Sequence, residues 1–136
     1  MNLLLEADPS EAKVREYLAG ATCFGAFIGS QLVSVCVTNV NSEGDTELFN
    51  IASLPYMQGQ GVGTRLLEFV ISELASQKVA KLVLGTGTFG YQLTFYQRLG
   101  FRVDAVVKNF FIDNYAEPVY EDGIQHCDML RLSLHL

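Results

Sequence analysis

Tryptophan is absent from this 136-residue chain, and proline and cysteine occur only three times each. The cysteines, Cys23, Cys36 and Cys127, are odd in number and widely spaced, with no CxxC pair. That excludes a disulfide framework and a zinc ribbon. The one Cys–His neighbour pair is His126-Cys127, and adjacent strand residues face opposite ways, so no metal is expected. The cysteines read as small core or strand fillers in a reducing compartment. Charged residues are sparse at 18%, against 49% apolar, which excludes intrinsic disorder and supplies a core for one domain spanning residues 1–136. Long apolar runs are missing too: none approaches the roughly 20 residues of a membrane helix. The start, Met1 to Glu6, lacks a basic residue and is too short in apolar character for a secretory leader. A soluble, cytoplasmic protein is expected, with no membrane partner. Basic residues are outnumbered, 9 against 15 acidic, for a net charge of −6. The basic face of a nucleic-acid-binding module is therefore not expected, and an anionic ligand would have to be held by local geometry rather than by the overall field.

No repeat or low-complexity linker interrupts the chain. Residues 2–6 read as a first strand, and Asp8-Pro9-Ser10-Glu11 as a helix start with Asp8 as cap, Pro9 in the first turn and Glu11 closing a capping box. Gly20 would stop that helix. Residues 22–28 and 31–40 are strand-like runs joined by Gly29-Ser30, a hairpin signal. The polar cluster 41–45 is a second turn, and 46–54 a third strand. From Gly61 the period changes: Val62, Leu66, Leu67, Val70, Ile71 and Leu74 recur at three and four residues, predicting an amphipathic helix to about Gln77. Residues 81–84 make a short buried strand, so strand–helix–strand forms a parallel crossover. A loop over 85–90 leads to a short helix over 91–98, which Gly100 closes. Residues 101–112 and 124–136 read as a closing hairpin, with both histidines on strand surfaces. The order implies a mixed α/β sheet.

The segment that carries chemistry is Gln58-Gly59-Gln60-Gly61-Val62-Gly63-Thr64, between a strand and a helix. Glycines admit close approach and φ values that other residues avoid, and a helix N-terminus presents unpaired N–H groups to anions. A P-loop would need GxxxxGK[ST], and no lysine stands where it is required. A dinucleotide fingerprint from Gly59 meets Thr64, and one from Gly61 meets Leu66, where glycine or alanine is needed. The pattern that fits is Q/R-x-x-G-x-G/A, at Gln58, Gly61 and Gly63. A glycine-rich capping turn with no ligand is the alternative.

The surroundings of this segment favour the ligand-binding reading over the plain capping turn. The strand ending Asn50-Ile51-Ala52-Ser53-Leu54-Pro55 precedes it, and Phe95-Tyr96-Gln97-Arg98-Leu99-Gly100-Phe101 follows about thirty residues later. In that order and spacing the chain resembles the GNAT superfamily of N-acetyltransferases along nearly its whole length. Asn109-Phe110-Phe111 and the stretch Asp128 to Leu132 are similar to small bacterial single-domain members. The resemblance implies a mixed, mostly antiparallel central sheet with a parallel βαβ core and flanking helices. It also implies acetyl-CoA as acyl donor and an amine, small-molecule or peptide, as acceptor. The backbone of Ile51, Ala52 and Ser53 would pair with the pantetheine arm. The N–H groups of Gln58, Gly59, Gln60, Gly61, Val62, Gly63 and Thr64 would bind the pyrophosphate, with the Thr64 hydroxyl as an extra donor.

Tyr96 matches the tyrosine that protonates the departing thiolate in many members. Glu47, two strand periods before Ile51, matches a catalytic glutamate of several; ordered water is the other route to deprotonation. Asn50 could orient the acceptor. Two departures stand out. Positions 60 and 62 lack the basic residue often found there, and Thr88 occupies the loop where an asparagine often bonds the pantetheine. The missing base leaves open a non-catalytic acyl-CoA-binding module. Acceptor choice would be set by the first helix, the loop 41–45 and the aromatic, acidic stretch Phe110 to Gly123, which could equally form a homodimer interface.

Overall fold

The computed structural model describes residues 2–5 and 7–136, which divide into two compact units: residues up to 82 together with Leu136, and Val83–His135. In hydrogen-bonded order the strands run β1-β2-β3-β4-β8-β5, using β1 for Thr22–Ile28, β2 for Gln31–Val40, β3 for Thr46–Ser53, β4 for Lys81–Gly87, β5 for Arg102–Val107 and β8 for Met129–His135. The sheet is mostly antiparallel with one parallel pair, flanked by helices. The expected mixed α/β class is thus observed.

In the first unit the chain opens not with a strand but with a helical turn, α1 (Asn2–Leu5). Leu4 is buried there with Val14 and Val37. Three consecutive leucines carry no period of their own, so tertiary burial selects the conformation. Glu6, the last residue of the expected strand, lies outside the described residues. Helix α2 (Glu11–Leu18) is capped by Ser10, not Asp8: the Ser10 side chain accepts from the Lys13 N–H. Asp8 instead accepts from the Ser10 N–H at 3.1 Å and from the Tyr17 hydroxyl at 3.4 Å. These two bonds hold its carboxylate outside the helix and move the start two residues on.

Strands β1, β2 and β3 form an antiparallel meander. Its β2–β3 register skips between Val37 and Thr38, leaving Phe49 as an extra, bulged residue on β3. After β3, a 3₁₀ turn (Pro55–Met57) leads to α3 (Val62–Ser76), which buries Leu66, Leu67, Val70 and Leu74 on one stripe. The sequence periodicity marked those positions.

β4 is longer than the apolar run implied. Gly85, Thr86 and Gly87 stay extended because Met129 and His126 side chains fill the space above the two glycines. Helix α4 (Tyr91–Arg98) follows, and Gly100 (φ +100) donates to the Gln97 carbonyl. The expected long strand 101–112 stops at Val107. Asn109 turns left-handed (φ +59) and starts the short helix α5 (Phe110–Asn114). A small hairpin of β6 (Tyr120–Glu121) and β7 (Ile124–Gln125) follows, turned by Asp122 (φ +53) and Gly123 (φ +77). β5 and β8 pair antiparallel as expected. His135 is an exposed strand residue, but His126 is not: it lies beyond β7 and is only 7% exposed.

Candidate functional site

The turn between β3 and α3 is built for open backbone. Gly59 and Gly61 both adopt left-handed φ values, +78 and +80, where an L side chain is strained. A methyl group on either would meet nothing within 4 Å. These glycines therefore set direction and leave the surface clear; they are not filling tight packing. Gly61 is the N-cap residue and gives α3 no side-chain cap. The Arg65 N–H, donating to the Gly61 carbonyl at 3.0 Å, is the first to close the helix. Val62, Gly63 and Thr64 are consequently the first-turn positions whose N–H groups have no carbonyl within the helix. The turn is braced by side chains directed backward: Gln58 Nε2 donates to the Ser53 carbonyl and Gln60 Nε2 to the Tyr56 carbonyl.

On β3 the register separates the three backbone candidates. The Leu54 N–H donates to the Val33 carbonyl at 2.9 Å, so the directly bonded pairs recur two residues on, at Ala52 and Val35. Ala52 therefore directs its N–H and C=O toward β2, and its carbonyl also accepts from the Ser34 hydroxyl at 3.0 Å. Ile51 and Ser53 direct theirs the opposite way. Burial alternates along β3, with Leu48, Asn50 and Ala52 buried and Glu47, Phe49 and Ile51 half-buried. The expected shared face of Glu47 and Ile51 is not observed, however. The bulge at Phe49 puts Glu47, opposite Asn39, on the face of Asn50, opposite Val37, and away from that of Ile51, opposite Cys36. Glu47 accepts from Asn41 Nδ2 at 3.0 Å. Cys36 stands opposite Ile51 on β2, and burial pushes its thiol up to about 12. A protonated, buried thiol is a poor nucleophile, so Cys36 is suited to packing and not to carrying an acyl group.

Behind β3 lies a polar cluster that the sequence only hinted at. Asn50, 3% exposed, donates through Nδ2 to the Leu4 carbonyl (2.9 Å) and to the Tyr17 hydroxyl (2.7 Å). The Tyr17 ring stacks on the bulged Phe49 at 5.2 Å. Burial drives the Tyr17 phenol well above its usual range, against the lowering effect of the Asn50 bond, and the Asp8 carboxylate raises it further. Tyr17 thus stays neutral and donates to Asp8. Asn50 Oδ1 is buried without a partner among the described residues. Tyr17 was missed because nothing local distinguishes it from any other tyrosine on a helix.

The second unit holds the remaining candidates. Tyr96 is the buried residue of α4, 5% exposed, with ring centroids 5.3 Å from Phe95 and 5.8 Å from Phe101. Thr88 is exposed just beyond the end of β4. Next to it His126 stacks on Phe89 at 4.1 Å and bonds Glu121 at 2.9 Å. Sequence reasoning missed this pair. Its only trace was the glycine content of the 85–90 segment. No group of three or more His, Cys, Asp or Glu able to hold a metal occurs among the described residues.

A family model for the acetyltransferase (GNAT) domain matches residues 19–103. The chain belongs to the GNAT acetyltransferase family. It is similar to an uncharacterized N-acetyltransferase, YvbK, of Bacillus subtilis (strain 168): 38% identical over 136 residues, 99% of this chain and 88% of the relative. A GNAT-family acetyltransferase from Elizabethkingia anophelis, solved with acetyl-CoA bound, is 39% identical and covers 99% of this chain and 89% of its own, with a TM-score of 0.93. A Bacillus subtilis acetyltransferase solved with CoA is 38% identical, covers 99% and 90%, and gives a TM-score of 0.91. This GNAT protein is accordingly an acyltransferase by family. No helix among its described residues is long and apolar enough to cross a membrane.

Proposed function

We propose that this GNAT protein transfers an acetyl group from acetyl-CoA to an amine by direct attack in a ternary complex. The observation that carries the reading is the Gly59–Gly61 turn: two left-handed glycines with clear space above them, leading into a helix whose first-turn amides have no side-chain cap. Such a turn suits a diphosphate, and the bound acetyl-CoA and CoA of its relatives support that ligand. The amides of residues 58–64 would hold the diphosphate. They do so without a basic side chain at positions 60 and 62, so directed N–H groups must carry the binding.

Bound acetyl-CoA supplies an acyl group on a good leaving thiol. Ile51 and Ser53, near the end of β3 and with backbone groups that point away from β2, pair with the pantetheine arm where β4 does not take up those groups, and Thr88 adds a side-chain bond. Ala52, turned toward β2, supports this edge from behind. Glu47 accepts the proton of the acceptor ammonium, directly or through water, so that the free amine can attack the carbonyl. The Ile51 N–H holds the oxygen that becomes negative, an interaction worth about 3–4 kcal/mol in comparable sites. Tyr96 gives its proton to the sulfur as the C–S bond breaks, and the proton that the nitrogen sheds on becoming an amide returns through solvent to the tyrosinate, leaving an amide, free CoA thiol and neutral Tyr96. Asn50 and Tyr17 brace β3 behind these groups.

The test is a thiol-release assay with acetyl-CoA against a panel of small amines and N-terminal peptides. Amine-dependent release is the expected result. Tight CoA binding with no release on any amine would point instead to an acyl-CoA-sensing module.

A further inference from the structure

In the second unit, two glycines flanking Thr88 are crowded in a way that Gly59 and Gly61 are not. A methyl group on Gly87 would overlap the His126 ring, and one on Gly90 would overlap the Glu121 carboxylate. The two residues accommodated there are bonded to each other, His126 Nε2 to Glu121 Oε1 at 2.9 Å. Their side chains are 8% and 32% exposed. A carboxylate can only accept, so Nε2 carries the proton of the bond. His126 Nδ1 is buried without a partner among the described residues, on the ring edge that faces Gly87. A nitrogen turned onto a glycine α-carbon is not presented as a base.

The pair is also tied down on its own side. The His126 N–H donates to the Val119 carbonyl at 2.7 Å, and Glu121 belongs to the β6–β7 hairpin turned at Asp122-Gly123. The His126 ring stacks on Phe89 at an interplanar angle of 10°. Glu121 of the hairpin and His126 just beyond it therefore meet the segment 87–90 at three points: Gly87, Phe89 and Gly90. Thr88, the one residue between them with an exposed side chain, is held by its neighbours.

We propose that His126 and Glu121 are a positioning pair that fixes the end of β4 so that Thr88 is presented to the pantetheine arm of CoA. This rests on the cofactor role given to Thr88 above. A packed apolar pair would fill the same volume but would not set direction; the hydrogen bond fixes where the carboxylate sits against Gly90.

Three variants test it: His126→Phe keeps a ring to stack on Phe89 but removes the donor, Glu121→Ala removes the acceptor, and Glu121→Gln keeps an oxygen for the Nε2 proton. Hydrogen exchange at amides 87–90 in the cofactor-free protein should quicken in the first two and stay near wild type in Glu121→Gln. The KM for acetyl-CoA should rise by up to about tenfold in His126→Phe and Glu121→Ala, the most that losing one neutral hydrogen bond between Thr88 and the pantetheine arm gives. In both, kcat should stay within about twofold, and Glu121→Gln should restore KM. Unchanged exchange and KM in Glu121→Ala, or a Glu121→Gln variant as impaired as Glu121→Ala, would overturn the proposal. If the wild-type protein does not bind CoA, the cofactor reading fails by itself. The exchange measurement, which needs no cofactor, still reports whether the pair fixes the segment.

Discussion

Replacing Gly61 with alanine separates backbone strain from ligand binding. At φ +80 an L-alanine costs about 1–2 kcal/mol in backbone strain. Unfolding entropy near 2.1 cal/mol/K per residue gives about 0.3 kcal/mol per kelvin for a chain this long. The melting temperature should therefore fall by about 3–7 °C. Nothing lies within 4 Å of the new methyl group, so no clash adds to that figure. Binding should suffer separately, because the methyl projects into space beside the amides of Val62 to Thr64. Losing one hydrogen bond to a charged phosphate oxygen raises Kd about 10–100-fold. Gly61→Asn sharpens the comparison: asparagine tolerates the left-handed region, so most of the melting temperature should return while its side chain still obstructs the ligand. Scanning fluorimetry and isothermal titration with CoA read the two effects independently. A Gly61→Ala protein that melts lower yet binds CoA within twofold of wild type would refute the argument that this clear space is ligand space.

Tyr96→Phe keeps the ring between Phe95 and Phe101 and removes only the hydroxyl. It should lower kcat about 10–1000-fold with CoA affinity unchanged; an unaltered kcat under chemistry-limited conditions would exclude Tyr96 as the acid. Glu47→Gln preserves the acceptor oxygen for Asn41 Nδ2 but cannot take a proton, so kcat should fall most at neutral pH and recover as rising pH deprotonates the amine in solution. A uniform loss across pH would argue for a purely structural Glu47. Asp128 accepts from the Asn109 N–H at 2.8 Å, which, with Lys108 beside it, holds its carboxyl below the usual range. A depressed folded pKa gives stability that is present above the unfolded value, about 3.9, and is lost as pH falls through the folded one. Asp128→Asn should thus melt lower than wild type at neutral pH, and the two curves should converge in acid.

What the sequence made legible was local. The α3 stripe, β2, the 91–98 helix and the Gly100 stop each follow from period or turn chemistry contained within a few residues, and the structure has them within a residue or two. The errors lie where distant residues decide. α1 is helical because Leu4 finds Val14 and Val37. The start of α2 moves because Asp8 binds Tyr17 and the Ser10 N–H. β4 continues through two glycines because Met129 and His126 cover them. His126 looked like a surface strand residue because its stacking partner, Phe89, lies 37 positions away in the chain. The candidate site divides in the same way. The Gln58–Thr64 turn is written in consecutive residues, whereas the opposite directions of Ala52 and Ile51 depend on the β2 register.

On the proposed reading, directed amides between Gly59 and Thr64 grip the CoA diphosphate. Titrating ¹⁵N-labelled protein with CoA while following each backbone amide tests it directly. Large, saturable shifts concentrated at residues 59–64, reproduced by a 3′,5′-ADP fragment only in so far as it carries the diphosphate-side phosphate, are the result expected. Saturable binding that leaves those six residues unmoved while others shift would contradict it.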